Sequence, residues 1–273
     1  MSSPLSFRAE WGRQVGRTRT KWILGIVLAL PLIFVGAFAL DRGPRQGSQT
    51  GTRMVDYATS GGANFTVFVL LVASELLLVI VAALLLGDPV PAEASWSSLR
   101  YLLTAPVRRA RLLTAKVSVG VVHLAILLIV LPTWAFLIGS LVYGTSSFTI
   151  PGGGALTLAE LLPRLAIAIA YIFVAMLPVA AIAFAIGVGT DTPLAAVGGA
   201  LIAYIVAGIL DSIDALGSIR NGLPGHYQRS WLELLQPTYD WVALRHGVLW
   251  SILWALIFFA LGWRRFARKD VLS

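Results

Sequence analysis

Apolar residues along this chain come in six blocks of about 20 residues, separated by shorter polar segments. The blocks lie at residues 22–40, 65–86, 117–140, 163–187, 193–210 and 247–263. A helix needs about 20 apolar residues to cross the roughly 30 Å hydrocarbon core of a bilayer. No block alternates polar and apolar residues as a membrane β-barrel strand does. The pattern predicts an all-α membrane protein with six transmembrane helices, in a single domain that occupies residues 1–273.

Composition supports this class and excludes several others. The chain is 58% hydrophobic and only 12% charged, whereas soluble domains are about one-quarter charged. The formal net charge is +8, but the basic residues cluster at the ends of the predicted helices, where they favour anionic membrane lipids rather than nucleic acid as partners. The absence of cysteine excludes disulfides and thiolate metal sites.

The distribution of basic residues predicts the orientation of the helices. Fourteen of the 21 Lys and Arg residues precede the first block, lie in the 87–116 loop or follow the last block. The positive-inside rule therefore places both termini and this loop in the cytoplasm. Before the first block, Phe7, Trp11 and Val15 recur every four residues, which predicts an interfacial helix within residues 1–21. The block that follows is longer than the apolar core of a secretory signal, so we expect an uncleaved first span.

The loop between the second and third blocks contains a basic amphipathic segment at residues 93–105. One helical face would be apolar, with Trp96, Leu99, Leu102 and Leu103. The opposite face would carry Glu93, Ser97, Arg100 and Thr104. Such a helix can anchor the loop in the membrane interface, or it can dock a soluble partner on its polar face. The pattern alone does not choose between these roles.

The same loop resembles the cytoplasmic loop of ABC-2 type permeases, the membrane subunits of one class of ATP-binding-cassette exporters. The resemblance rests on Glu93, on Leu99-Arg100, on Leu103-x-x-Pro106-x-x-Arg109 and on Lys116 at the start of the third block. The basic-aromatic tail from Trp263 to Asp270 is similar to the ending common in that family. The order of an interfacial helix, six spans and a long outer loop before the last span also fits.

The resemblance implies a function and a set of partners. The chain would be the transmembrane subunit of an exporter in a bacterial inner membrane, working by alternating access with a second permease copy or paralogue. Residues 93–105 would form the coupling helix that contacts a separate ABC ATPase subunit. The residues at that contact would be Glu93, Ser97, Arg100, Thr104, Arg108 and Arg109.

The residues themselves agree with a motor on another chain. None of the three lysines follows a glycine, so the chain has no Walker A loop, and ATP and Mg²⁺ are expected on the partner. Neither His-Glu-x-x-His nor Gly-x-Ser-x-Gly occurs, so we expect no catalytic, cofactor-binding or metal-binding residues and no enzyme activity. The alternative functions are an intramembrane enzyme and a non-transporting membrane assembly factor; neither requires an ATPase at residues 93–105.

One acidic residue, Glu75, lies in the middle of a predicted span. A carboxylate at that depth costs free energy unless it is protonated, paired or wetted, so Glu75 is expected to face inward. Tyr204 lies at a similar depth in the fifth block and is a candidate hydrogen-bond donor to it. Together they would line a translocation path, or form a structural hydrogen bond.

Small residues recur at every fourth position of the fifth block. This ridge consists of Ala195, Gly199, Ala203 and Ala207, and such ridges allow two helices to approach closely. It would pack either within one bundle or across a permease dimer. On the outer side, residues 41–64 are expected to form a flexible hairpin. Residues 211–246 are expected to form a longer loop that mixes aromatic and polar residues, and the resemblance implies that this loop re-enters the membrane.

Overall fold

Six long apolar helices form the body of the computed structural model, which describes residues 7–40, 49–95, 109–150 and 153–268. A short helix, α1 (Phe7–Gly16), precedes them, and two more, α3 (Gln49–Ala58) and α5 (Pro91–Ser95), lie between spans. The six spanning helices are α2 (Thr18–Leu40), α4 (Gly62–Gly87), α6 (Arg109–Tyr143), α7 (Leu158–Gly189), α8 (Pro193–Asp211) and α9 (Trp241–Ala267). Each contains one predicted apolar block, so the fold class and the number of spans within the described residues are confirmed.

Several spanning helices begin before the apolar block does, because polar residues cap them. Thr157 and Glu160 form a capping box at the start of α7, in which each side chain pairs with the other residue's backbone N–H. The α9 helix begins after Asp240, whose carboxylate accepts a hydrogen bond of 2.9 Å from the backbone N–H of Val242. Hydrophobicity therefore located these spans, whereas their first turns are set by capping.

The bundle is organised around α7. This helix packs against α4, α8 and α9, while α6 packs against α4 on the other side and carries α2 at the edge of the bundle. The indole Nε1 of Trp134 donates a 2.9 Å hydrogen bond to the Leu28 carbonyl and joins α6 to α2. Gly87 of α4 and Gly187 of α7 lie so close together that a Cβ on Gly187 would overlap the Gly87 carbonyl oxygen. The α4–α7 contact thus depends on glycine.

We expect the substitution Gly187→Ala to destabilise the bundle by about 1–3 kcal/mol, the usual cost of overpacking a close contact. The added methyl group meets backbone rather than a flexible side chain, so α4 and α7 must separate to admit it. Thermal unfolding of the detergent-purified chain measures the effect.

Gly198 provides the matched control for this variant, because a Cβ there has no neighbour within 4 Å. Gly198→Ala is expected to leave the unfolding temperature unchanged or to raise it slightly. Equal unfolding temperatures for the two alanine variants would contradict the proposed dependence on Gly187.

The connections at one end of the bundle are more ordered than the sequence suggested. A helix, α3 (Gln49–Ala58), occupies much of the segment predicted as a flexible hairpin, so that prediction was wrong for these residues; residues 41–48 lie outside the described part. Two short strands, β1 (Phe148–Thr149) and β2 (Ala155–Leu156), pair between α6 and α7. The amide side chain of Asn64 holds β1 through two 3.0 Å hydrogen bonds to the backbone of Thr149.

Residues 212–240 connect α8 to α9 and fold back among the spanning helices. They contain two 3₁₀ helices, Asp214–Gly222 and Ser230–Leu235. Trp231 is fully buried, Tyr171 of α7 donates a 2.6 Å hydrogen bond to the Tyr227 carbonyl, and Trp254 of α9 donates one of 2.8 Å to the Gly222 carbonyl. The part of this segment from Tyr227 to Leu235 is therefore anchored in the bundle, whereas the 3₁₀ helix Asp214–Gly222 has no buried residue.

Candidate functional site

Glu75 lies midway along α4, in a turn where the helix widens. Residues Ala73–Leu77 form a π-helical turn, in which the Leu78 N–H bonds to the Ala73 carbonyl five residues back. Single π-helical turns within α-helices are rare and occur frequently at functional sites. At 1.5 Å per residue, Glu75 is about 20 Å along the helix from Gly62, which is near the middle of the span as predicted.

The partner of Glu75 is an arginine from the 212–240 segment. Arg229 Nε lies 2.7 Å from Glu75 Oε1, and Arg229 Nη2 lies 2.8 Å from Oε2, which is a bidentate ion pair. Each carboxylate oxygen of Glu75 thus accepts one hydrogen bond from the guanidinium of Arg229. No direct signal for this pairing was present in the sequence, because the two positions are 154 residues apart. The only available clue was that a carboxylate within a span needs a cation.

The predicted hydrogen bond between Tyr204 and Glu75 is replaced by a chain through Gln228. The Tyr204 hydroxyl donates to the side-chain oxygen of Gln228, and the Gln228 amide nitrogen donates to the Ser74 carbonyl within the widened turn. Gln228 is buried. Tyr204 is thus close to Glu75 in the fold, but it positions the segment that carries Arg229 rather than binding the carboxylate. We call Ser74, Glu75, Tyr204, Gln228 and Arg229 the mid-span polar group.

The mid-span polar group is only partly covered by the rest of the chain. The side chains of Glu75 and Arg229 are 37% and 70% exposed, and exposed apolar residues lie close to Glu75 in α4 and close to Tyr204 in α8 along the chain. These are Val72, Leu76, Ile202 and Ile205. An ion pair at this depth is costly in contact with hydrocarbon, and such groups normally face a bundle interior or a water-filled cavity. The expectation that Glu75 points into its own bundle is therefore not met, because Arg229 meets it at the surface.

The small-residue ridge of α8 is directed largely toward its own bundle. Ala207 is buried, Ala203 is partly buried against the core, and Gly199 lies against Ile186 of α7; Ala195 is exposed. Of the two roles left open for this ridge, the structure favours packing within one bundle, since α7 occupies the space beside Gly199. The exposed face of α8 carries larger residues instead.

A buried group of charged residues joins α1, the start of α2, the segment that follows α4, and α6, at the opposite end of the bundle from the β strands. Lys116 of α6 lies 3.2 Å from Glu10 Oε1 and also pairs with Glu93. Arg17 lies 3.5 Å from Glu93 and 3.4 Å from Asp88, and Arg19 also contacts Asp88. We call Glu10, Arg17, Arg19, Asp88, Glu93 and Lys116 the ion cluster. Arg13 also lies 2.5 Å from Glu10 Oε2 at the edge of this cluster, so four cationic groups surround its three carboxylates.

Burial of the ion cluster is nearly complete at its centre. Lys116, Glu10 and Glu93 are 2%, 1% and 4% exposed. Burial alone would raise the pKa of Glu10, but the charge of Lys116 and the hydrogen bond from Gln14 outweigh it, so the pKa of this carboxyl is lower than usual. A helix, α1, forms within the segment 1–21, and its Glu10–Gln14 face packs on the bundle, while Phe7 and Val15 are exposed. Its place in the membrane interface stays a prediction.

Glu93 does not lie where the loop pattern placed it. Residues Pro91–Ser95 form a short helix, α5, and Glu93 points inward to Lys116 and Arg17 rather than toward a soluble partner. Two cationic side chains within reach make this buried position favourable for a carboxylate. Four other predicted ATPase-contacting residues, Ser97, Arg100, Thr104 and Arg108, lie outside the described residues, as does most of the 93–105 helix. Arg109 begins α6.

Within the described residues, six apolar helices of 19 to 35 residues and a buried polar end define a multi-pass, all-α membrane protein. The family model of ABC-2 family transporter proteins matches residues 17–206, more than two-thirds of the chain. The chain therefore belongs to this family of transport permeases, whose members work with ATPase subunits. No curated protein matches the chain significantly. The matched region includes Glu75, Tyr204 and most of the ion cluster, whereas Arg229 and α9 lie beyond it.

Proposed function

We propose that this chain is the transmembrane subunit of an ABC exporter in a bacterial inner membrane. ATP hydrolysis on a separate ATPase subunit would drive alternating access, and the substrate would leave the cytoplasm along the α4–α8 face. The family membership supports a transport role. The location that we propose for the path rests on the exposed Glu75–Arg229 ion pair at mid-span.

The ion pair supports a path because its surroundings must be polar in the assembled transporter. A surface with a charged pair at its centre and apolar residues around it is unsuited to lipid but suited to a partner surface or a wetted channel. A second permease copy placed against this face would enclose the mid-span polar group between two bundles. The path would then combine apolar walls from Leu76 and Ile205 with charges from Glu75 and Arg229.

The ion cluster supports a role in coupling to the ATPase for the end of the bundle at which it lies. Its ion pairs join α1, α5 and α6 to each other. Along the chain, α5 ends just before residues 96–108 and α6 begins just after them, and these residues are the segment proposed to contact the ATPase. A rigid mounting for that segment would transmit a displacement from the ATPase to α6, which supplies Lys116, and to the end of α4, which Asp88 follows directly. The role of Glu93 in this proposal is to hold the segment in place, not to contact the ATPase.

Co-expression with ABC ATPase subunits from the same genome tests the function. We expect one of them to co-purify with the wild-type chain, and Arg100→Glu to reduce the retained ATPase at least tenfold, because the substitution reverses a charge on the proposed contact. Arg8→Glu, on an exposed position of α1, is the matched control and should retain the ATPase. If no ATPase subunit binds the wild-type chain with or without nucleotide, the proposed function is wrong.

A further inference from the structure

A cavity of about 650 Å³ opens between the ends of α7 and α9. It lies at the same end of the bundle as the ion cluster, since α7 ends at Gly189 close to the Gly87 end of α4. The volume is within the range of small-molecule sites, about 300–1,000 Å³. It is separated from the mid-span polar group by about half the length of α9, so it belongs to neither site described above.

The α9 wall of this cavity changes from apolar to basic along the helix. Phe258 and Leu261 line the deeper part, and Arg264, Arg265 and Arg268 line the part nearest the helix end. The spacing of these residues places them on one helical face. From Phe258 to Arg268 the helix rises about 15 Å, which equals about half the hydrocarbon thickness of a bilayer. The cavity thus extends from apolar membrane depth to the charged interface.

The α7 wall adds apolar surface and contributes no acidic side chain that could pair with the arginines. It consists of Ala185, Ile186, Val188 and Gly189. Gly189 has no side chain, and the guanidinium of Arg265 lies directly over it. In the described part of the chain, every residue that lines the cavity is either apolar or arginine. Three positive charges around an apolar cleft are therefore present without a carboxylate in the lining to neutralise them.

We propose that this cleft binds one anionic phospholipid of the adjacent leaflet, with the phosphate on Arg264, Arg265 and Arg268 and an acyl chain along Phe258 and Leu261. Guanidinium groups match phosphate oxygens in geometry and charge, and basic pockets between spanning helices bind anionic lipid headgroups. The apolar wall favours a lipid over a free phosphate, because a free anion would gain nothing from contact with Leu261 or Ile186.

Native mass spectrometry of the detergent-purified full chain tests the proposal with phosphatidylglycerol and phosphatidylcholine as probes. We expect the wild-type chain to retain one phosphatidylglycerol at a concentration at least tenfold lower than phosphatidylcholine requires. Arg264→Gln combined with Arg268→Gln should remove this preference. The matched control combines Arg8→Gln with Lys21→Gln, which removes two exposed charges outside the cleft and should preserve it.

A second variant keeps every charge and so avoids any effect on helix orientation. Leu261→Trp places a large side chain where the acyl chain would lie, and it is expected to weaken phosphatidylglycerol retention about tenfold. Equal losses in the Arg264/Arg268 and Arg8/Lys21 variants would overturn the proposal, because retention would then follow net charge alone. So would displacement of the lipid by millimolar inorganic phosphate, or loss of ATPase binding in the Arg264/Arg268 variant with unchanged lipid retention.

Discussion

The variant Leu76→Cys is expected to react with a membrane-impermeant maleimide, or to form a disulfide with a second copy, at least tenfold faster than Leu256→Cys. Leu76 is 52% exposed and lies beside the Glu75–Arg229 ion pair, whereas Leu256 is 63% exposed near the middle of α9. Thiolates form and react in water, so a residue facing hydrocarbon stays inert. The chain contains no cysteine, so each single-cysteine variant reports only on its own position.

The two reactions distinguish what covers the α4–α8 face in the assembled protein. Labelling by maleimide indicates a water-filled path, and copper-catalysed disulfide formation indicates direct contact between copies. Both would support the proposal that this face is covered in the transporter. Equal inertness of the two cysteines would contradict it, because Leu76 would then face lipid as Leu256 does.

Replacing Lys116 with methionine is expected to destabilise the chain by about 3–5 kcal/mol, the cost of removing one partner from a buried charge cluster. Methionine nearly preserves the volume, but the carboxylates of Glu10 and Glu93 lose their shared cation in a site that is almost fully buried. Helix α1 should detach from the bundle as a consequence. Thermal unfolding in detergent measures the loss, and proteolysis near residue 17 measures the detachment.

Two further variants define what the Lys116 result means. Lys21→Met removes an exposed lysine at the same end of the bundle and should leave stability unchanged. Adding Glu93→Gln to Lys116→Met should recover part of the loss, since one of the two unpaired carboxylates becomes neutral. If Lys116→Met unfolds at the same temperature as Lys21→Met, the ion cluster does not stabilise the docking of α1.

Some features of the bundle were predictable because they depend on local sequence. The six apolar blocks predicted six spans, since the length of an apolar run decides whether a helix can cross a bilayer. The starts of α7 and α9 are set by capping at Thr157 and Asp240, which the apolar blocks did not indicate because they begin five or six residues later. The π-helical turn at Ala73–Leu77 had no such signal.

The sequence by itself determined the class of protein and the position of each span. It also identified Glu75 as an acidic residue in the middle of a span. Only the tertiary structure decided that Arg229 pairs with Glu75, that Glu93 points inward to Lys116, and that Gly199 packs on its own bundle. The physical reason is that hydrophobic length and capping act within one helix. The partner of a charge and the neighbour of a small residue depend instead on which distant segments the packing of helices brings together.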